Sequence, residues 1–244
     1  MIRDVLLLRF DAPMMSFGGT KIDANNVTEE VPGRSALAGL LANALGWHHR
    51  DHQALQALQA RIRYAVRVDR PGERLVDYHT VELGQPSLVD CGWTTRGCVE
   101  ERAGAFSKGT HIRSRHYLVG AVYTIALRLE PPDDEPGLDA LERALERPAR
   151  PLFIGRKTCL PAAPILLARR EASSLREAAA RAEPTPSAQG ASRESGPMLG
   201  FWPEEEGVDG EAIVLHDDRD WLNQIHVGRR FMRRGWLEGG EDRV

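Results

Sequence analysis

Arg61-Ile62-Arg63-Tyr64-Ala65-Val66-Arg67-Val68-Asp69 alternates without a break. Ile62, Tyr64, Val66 and Val68 fall on one side, and Arg61, Arg63, Arg67 and Asp69 on the other. Successive side chains of a strand point to opposite faces, so this spacing predicts a half-buried strand. Upstream, residues 5–10 are a short apolar run that reads as a buried strand. Residues 11–30 lack periodicity and read as loop. Pro32-Gly33-Arg34-Ser35 then opens a helix, with Ser35 as its cap and Leu37, Leu40, Leu41, Ala44 and Leu45 as a stripe at helical spacing. Gly46 is placed to end it. A second short helix is predicted over 51–60 through Leu55 and Leu58. Downstream, Tyr117, Val119, Ala121, Tyr123, Ile125, Leu127 and Leu129 alternate as one long strand. Leu138, Leu141, Ala144 and Leu145 mark a short amphipathic helix, and 164–168 a last apolar strand.

Without residues 71–112 the order is strand, helix, strand, strand, helix, strand. That is the α+β, ferredoxin-like arrangement: an antiparallel sheet with helices on one face, the other face open to ligands. The domain so defined takes residues 1–77 and 113–170. Residues 71–112 hold six glycines and few aliphatics, so 78–112 reads as an inserted arm or hairpin. Residues 171–183 have a helical Ala/Arg/Glu composition, but 171–200 as a whole reads as a flexible Ala/Pro/Ser-rich segment. Residues 201–244 are acidic, then basic.

The chain has 244 residues, 42% hydrophobic and 27% charged, with a net charge of −3. That composition excludes wholesale disorder, and the near-neutral charge confines any nucleic-acid contact to local patches. Such patches exist. Residues 147–170 carry six basic residues and no acid, and 225–234 carry four arginines and no acid. Residues 203–220 carry eight acids against one arginine. The pattern reads either as a polyanion face with a separate solvent or partner face, or as ordinary solvated surface. Three cysteines point to a reducing compartment, and the apolar run at 5–8 is too short for a signal or a span, so a soluble cytoplasmic protein is expected.

Gly155-Arg156-Lys157 combines a glycine that permits close backbone approach with two cations, the chemistry of a phosphate-binding turn; an ordinary surface turn is the alternative. No Walker motif accompanies it, which argues against nucleotide hydrolysis. Lys108-Gly-Thr-His-Ile-Arg-Ser-Arg-His-Tyr117 mixes cations, rings and hydroxyls. Lys108, Arg113, Arg115 and His116 there suit single-stranded nucleic acid. Lys108, His111, His116 and a tyrosine would also suit metal-free RNA cleavage, and a charged strand edge is the plain alternative. Cys91 and Cys98 are too far apart for a zinc knuckle. His48 and His52 would share a helix face but lack the glutamate of a zinc protease. Cys159 reads as a packed thiol. No metal or cofactor is expected.

Several segments together resemble a known family: Leu6-Leu-Leu-Arg-Phe-Asp-Ala-Pro-Met-Met-Ser-Phe-Gly18, Val31-Pro-Gly-Arg-Ser-Ala-Leu-Ala-Gly-Leu-Leu-Ala-Asn-Ala-Leu-Gly46, Val68-Asp-Arg70 with Asp77-Tyr-His-Thr80, Arg115-His-Tyr-Leu-Val-Gly-Ala121, and Pro151-Leu-Phe-Ile-Gly-Arg-Lys-Thr-Cys-Leu-Pro-Ala-Ala-Pro164. They resemble the CasD family of the RAMP superfamily, the type I-E CRISPR Cascade subunit that caps the 5′ handle of the CRISPR RNA. The likeness covers residues 5–164. It implies one ferredoxin-like domain with a β-hairpin thumb, and a non-catalytic RNA-binding role in antiviral defence. It also implies partners: the CRISPR RNA 5′ handle, the CasC backbone subunit, the CasA large subunit and, through the assembled complex, target DNA. Type I-C relatives cut repeat RNA themselves, so a repeat-specific, metal-independent endoribonuclease is the alternative. By position the resemblance puts Met14, Ser16, Phe17, Gly18, Arg34, Ser35, Gly155, Arg156 and Lys157 near RNA.

Overall fold

The computed structural model of the chain describes residues 2–18, 25–82, 92–93, 99–100, 110–183 and 197–237. β1 (Arg3–Asp11) leads through the two-residue ladders β2 (Met14–Met15) and β3 (Asn25–Asn26) to α1 (Arg34–Leu45) and α2 (His52–Arg61). Next come β4 (Ile62–Arg70), β5 (Glu73–Glu82), the short pair β6 (Gly92–Trp93) and β7 (Val99–Glu100), β8 (Thr110–Val119) and β9 (Val122–Leu129). α3 (Leu138–Glu146), β10 (Leu166–Ala172) and α4 (Leu175–Arg181) precede β11 (Met198–Pro203), β12 (Glu211–Leu215), β13 (Asp218–Asp220), β14 (Ile225–Val227) and β15 (Arg230–Leu237).

The fold is α+β around a seven-stranded sheet in the order β10-β1-β9-β4-β11-β15-β12, with every neighbouring pair antiparallel. The strands legible in the sequence are its first four. The C-terminal segment is not an appendage: it adds three strands at the β4 edge. A second sheet forms on β8, which pairs with β5 over ten positions from Glu73↔Val119 to Glu82↔Thr110. β2 and β3 also pair with β8. The single strand expected over 117–129 is therefore two strands in two sheets. The chain turns between them at Gly120, whose φ of +67° is one that glycine adopts without strain. Most of the expected thumb, with Lys108 and His111, lies outside the described residues or their side chains.

Alternation divides the core as the sequence implies, but both faces are covered. Leu6, Leu8, Phe10, Tyr64, Val66, Ile125 and Leu127 pack against the stripes of α1, α2 and α3. On the opposite face Val5, Leu7, Ala65 and Ala126 meet Leu175, Ala178 and Ala179 of α4, with Trp202 beside them. The expected open sheet face is thus closed, and β4 is not half-buried. Ala65 and Ala126 leave room for a helix of small residues. Arg67, fully buried, donates from Nη1 to the α4 carbonyls of Ala179 and Ala182 at 2.8 and 2.6 Å, satisfying the helix end. The Ser174 hydroxyl accepts from the Glu177 amide at 3.0 Å and caps the other end. Residues 171–200, expected to be flexible, therefore begin as strand and helix.

The cap of α1 also differs from expectation. Gly33, not Ser35, holds the N-cap position, and no side chain of that residue can serve. Asp217 does so from the far end of the chain: its Oδ2 accepts from the Arg34 amide at 2.7 Å and its carbonyl from the Ser35 amide at 3.1 Å. A Cβ on Gly33 would lie 2.7 Å from the Asp217 Cβ, so glycine there admits the aspartate. Gly46, at φ +84°, ends the helix as expected. Because α1 ends at Leu45 and α2 starts at His52, His48 lies in the joining loop and shares no helix face with His52. Among the described residues no helix is long and apolar enough to cross a membrane.

Candidate nucleic-acid interface

An open groove of about 720 Å³ runs between α1, the turn after Leu152 and the β13–β14 hairpin. Arg115, Arg150, Arg156, Lys157 and Arg219 line it, and no Asp or Glu among the described residues does. Trp47, Phe153 and Trp221 supply rings. Cations for phosphates beside faces for bases are what a single strand of nucleic acid requires.

The turn is built by close backbone approach. Gly155 has φ +98°, and a Cβ there would sit 1.7 Å from the Ser16 carbonyl oxygen. The glycine is thus required by the 14–18 loop packed beneath it rather than by a phosphate. Arg156 is likewise occupied. Its Nη1 donates to the His116 carbonyl at 2.7 Å and its Nη2 to the Asn26 carbonyl at 3.0 Å, while the guanidinium lies 4.6 Å over the Tyr117 ring. It ties the turn to β8 and β3 and presents its outer edge to the groove. Lys157 is exposed and makes no hydrogen bond or ion pair among the described residues. Inside the turn Cys159 is buried, and burial pushes its thiol pKa up, consistent with an inert packed group.

The opposite wall is the β13–β14 hairpin. The Gln59 side chain holds it by donating to the Arg219 carbonyl at 3.0 Å and accepting from the Trp221 indole at 2.9 Å. Trp221 is buried, stacks with His49 at 6.5 Å between centroids and lies 5.3 Å beneath the Arg219 guanidinium. At the groove's end Arg150 donates to the carbonyls of Gly46 and Trp47, both at 2.6 Å, so its charge completes the end of α1.

The sequence-derived residues therefore separate. Ser16, Gly18, Ser35, Arg115, Gly155, Arg156 and Lys157 come together on the groove. Phe17 does not: it is buried and packs edge-on against Tyr123 at 5.5 Å. Ser16 is buried too, and its hydroxyl donates to the His116 carbonyl at 3.2 Å. Met14 belongs to the β2 ladder. Arg34 pairs with Asp218 at 3.1 Å. Arg113 and the His116 ring lie off the groove lining, although Arg115 is exposed on it.

A family model described as CRISPR-associated protein (Cas_Cas5) matches residues 5–233. The chain belongs to the CRISPR-associated Cas5 family. It is 33% identical over 243 residues to the CRISPR system Cascade subunit CasD of Escherichia coli (strain K12), covering 99% of both chains. Among solved structures it resembles a chain of a CRISPR RNA-guided surveillance complex at 28% identity and a TM-score of 0.69, over 96% of this chain and 90% of that one. A crystal structure of a Cas protein matches at 23% identity and a TM-score of 0.58, over 96% and 95% of the two chains, and shows the shared fold. The likeness thus reaches well past residue 164, into the C-terminal strands that wall this Cas5 groove. Trp47, Arg150, Arg219, Trp221 and His226 were missed by sequence reading. Arg219 sat in a segment read as acidic, and nothing local tied either histidine or tryptophan to the glycine turn.

Proposed function

We propose that this Cas5 chain is the RNA-binding, non-catalytic subunit of a type I-E Cascade complex, and that the groove seats the repeat-derived 5′ handle of the CRISPR RNA. The observation that carries the reading is an acid-free groove, lined by five cations and three rings, in a chain 33% identical to a Cascade subunit along its whole length. The strand order β10-β1-β9-β4 supports a ferredoxin-like core, and the β5–β8 pairing supports a hairpin thumb that continues through 78–112. In this reading the thumb meets the CasC backbone subunit, CasA lies nearby, and target DNA is reached through the assembled, cytoplasmic ribonucleoprotein. A non-catalytic role is supported by the occupied state of the groove's inner groups: Arg156 is spent on carbonyls, and the His116 ring lies off the lining.

The test mixes the full chain with synthetic CRISPR RNA, with and without the handle, in EDTA. Retention of intact RNA, tighter with the handle, is expected. Absence of RNA binding, or a discrete cleavage product, contradicts the reading.

A further inference from the structure

The β13–β14 hairpin carries two polar atoms that its own packing leaves unanswered. His226 and Arg219 are directly opposite each other in the ladder, so both side chains leave the same face, and both line the groove. Nδ1 of His226 and Nε of Arg219 are buried and have no hydrogen-bond partner. Buried polar atoms are nearly always paired, so two orphans side by side on a groove wall call for a ligand. The rest of the hairpin is well satisfied. Gln224 takes the outer Arg219 nitrogen at 2.7 Å, and Gln59 fixes its backbone. The wall is therefore rigid, as a reading surface requires.

We propose that the Arg219–His226 pair reads one nucleobase of the bound RNA, accepting from an exocyclic amino group at His226 Nδ1 and donating from Arg219 Nε–H to the adjacent ring nitrogen. Opposed residues of an antiparallel ladder stand roughly 4.5–5.5 Å apart at Cβ, within reach of one base edge. An amino group beside an acceptor ring nitrogen is found on adenine and on cytosine. Burial, and then the Arg219 charge, lowers the His226 pKa, which keeps the ring neutral and Nδ1 able to accept at pH 7. Trp221, beneath Arg219, gives that base a flat neighbour. This inference rests on the groove being the RNA seat.

The test uses the full chain and synthetic handle RNAs in which each adenine is replaced by inosine, or each cytosine by uracil, one position at a time. Either change turns the amino donor into a carbonyl acceptor facing the His226 lone pair. The wild-type chain should lose about tenfold in affinity at one position, the scale of a two-point base contact. His226→Ala should bind both forms of that RNA equally. If no replacement is sensed, or if His226→Ala still discriminates, the inference fails. Lys157→Ala separates this failure from that of the parent reading: it weakens all RNAs alike if RNA lies in the groove, and leaves affinity unchanged if it does not. The wild-type arm needs no variant, so a poorly folded His226→Ala leaves the inference open to refutation.

Discussion

Gly155, Arg156 and Lys157 are adjacent and do three different jobs. A side chain at Gly155 collides with the Ser16 carbonyl and needs a left-handed φ, so Gly155→Val should cost roughly 2–5 kcal/mol, read by denaturant unfolding. Arg156→Ala removes two hydrogen bonds to carbonyls and a ring contact, and should lower Tm as well as RNA affinity. Lys157→Ala should lower RNA affinity alone, because exposed changes usually stay within about 0.5 kcal/mol. Equal melting of the Arg156 and Lys157 variants would show that the arginine is not a structural tie. The cations and the glycine were legible in sequence. Their division of labour was not, since the partners of Arg156 come from positions 26 and 116, joined to it only by folding.

At the scale of elements, long-range ties decide what the sequence leaves open. α1 was legible from its apolar stripe and Gly46, but its cap is Asp217. Burial works to raise that carboxyl's pKa. The hydrogen bonds and charge of Arg230, and then the Arg34 amide and charge, outweigh burial and hold the pKa below the ordinary carboxylate value. A group with a depressed folded pKa contributes stability above its unfolded pKa and loses it as pH falls through the folded one. Asp217→Asn should therefore destabilise the chain at neutral pH, by about 3 kcal/mol given the buried Arg230 left behind. The gap between variant and wild type should close on acidification, as followed by urea unfolding across pH. A pH-independent gap would contradict the account. Other elements misled for equally physical reasons. Alternation runs unbroken through 117–129, and only the left-handed Gly120 reveals that the chain changes sheets. α4 was obscured by the Pro/Ser-rich residues that follow it, although Ser174 and the small stripe of Ala178 and Ala179 mark it.

Over the whole molecule, the charge blocks turn out to be partly internal bookkeeping between distant segments. The arginines of 225–234 answer the acids of 203–220 and one before them: Arg230 pairs with Asp217, Arg233 with Glu204, and Arg234 with Glu30 and Glu211. Arg169, in the acid-free stretch, bridges to Asp4, Asp139 and Glu142. Arg115 and Lys157 remain exposed on the groove without such pairing, and they are the cations that a polyanion would meet first. Sequence reading found the basic islands but could not subtract these pairs, because each joins segments that only the sheet brings together. The most direct measurement is RNA affinity of the full chain, wild type and Arg115→Ala/Lys157→Ala, by filter binding across a salt series. Each phosphate contact to a single strand contributes about 0.7 to the log–log slope, so the double variant should bind more weakly with a slope shallower by about 1.4. An unchanged affinity and slope would mean that the groove is not where the RNA lies.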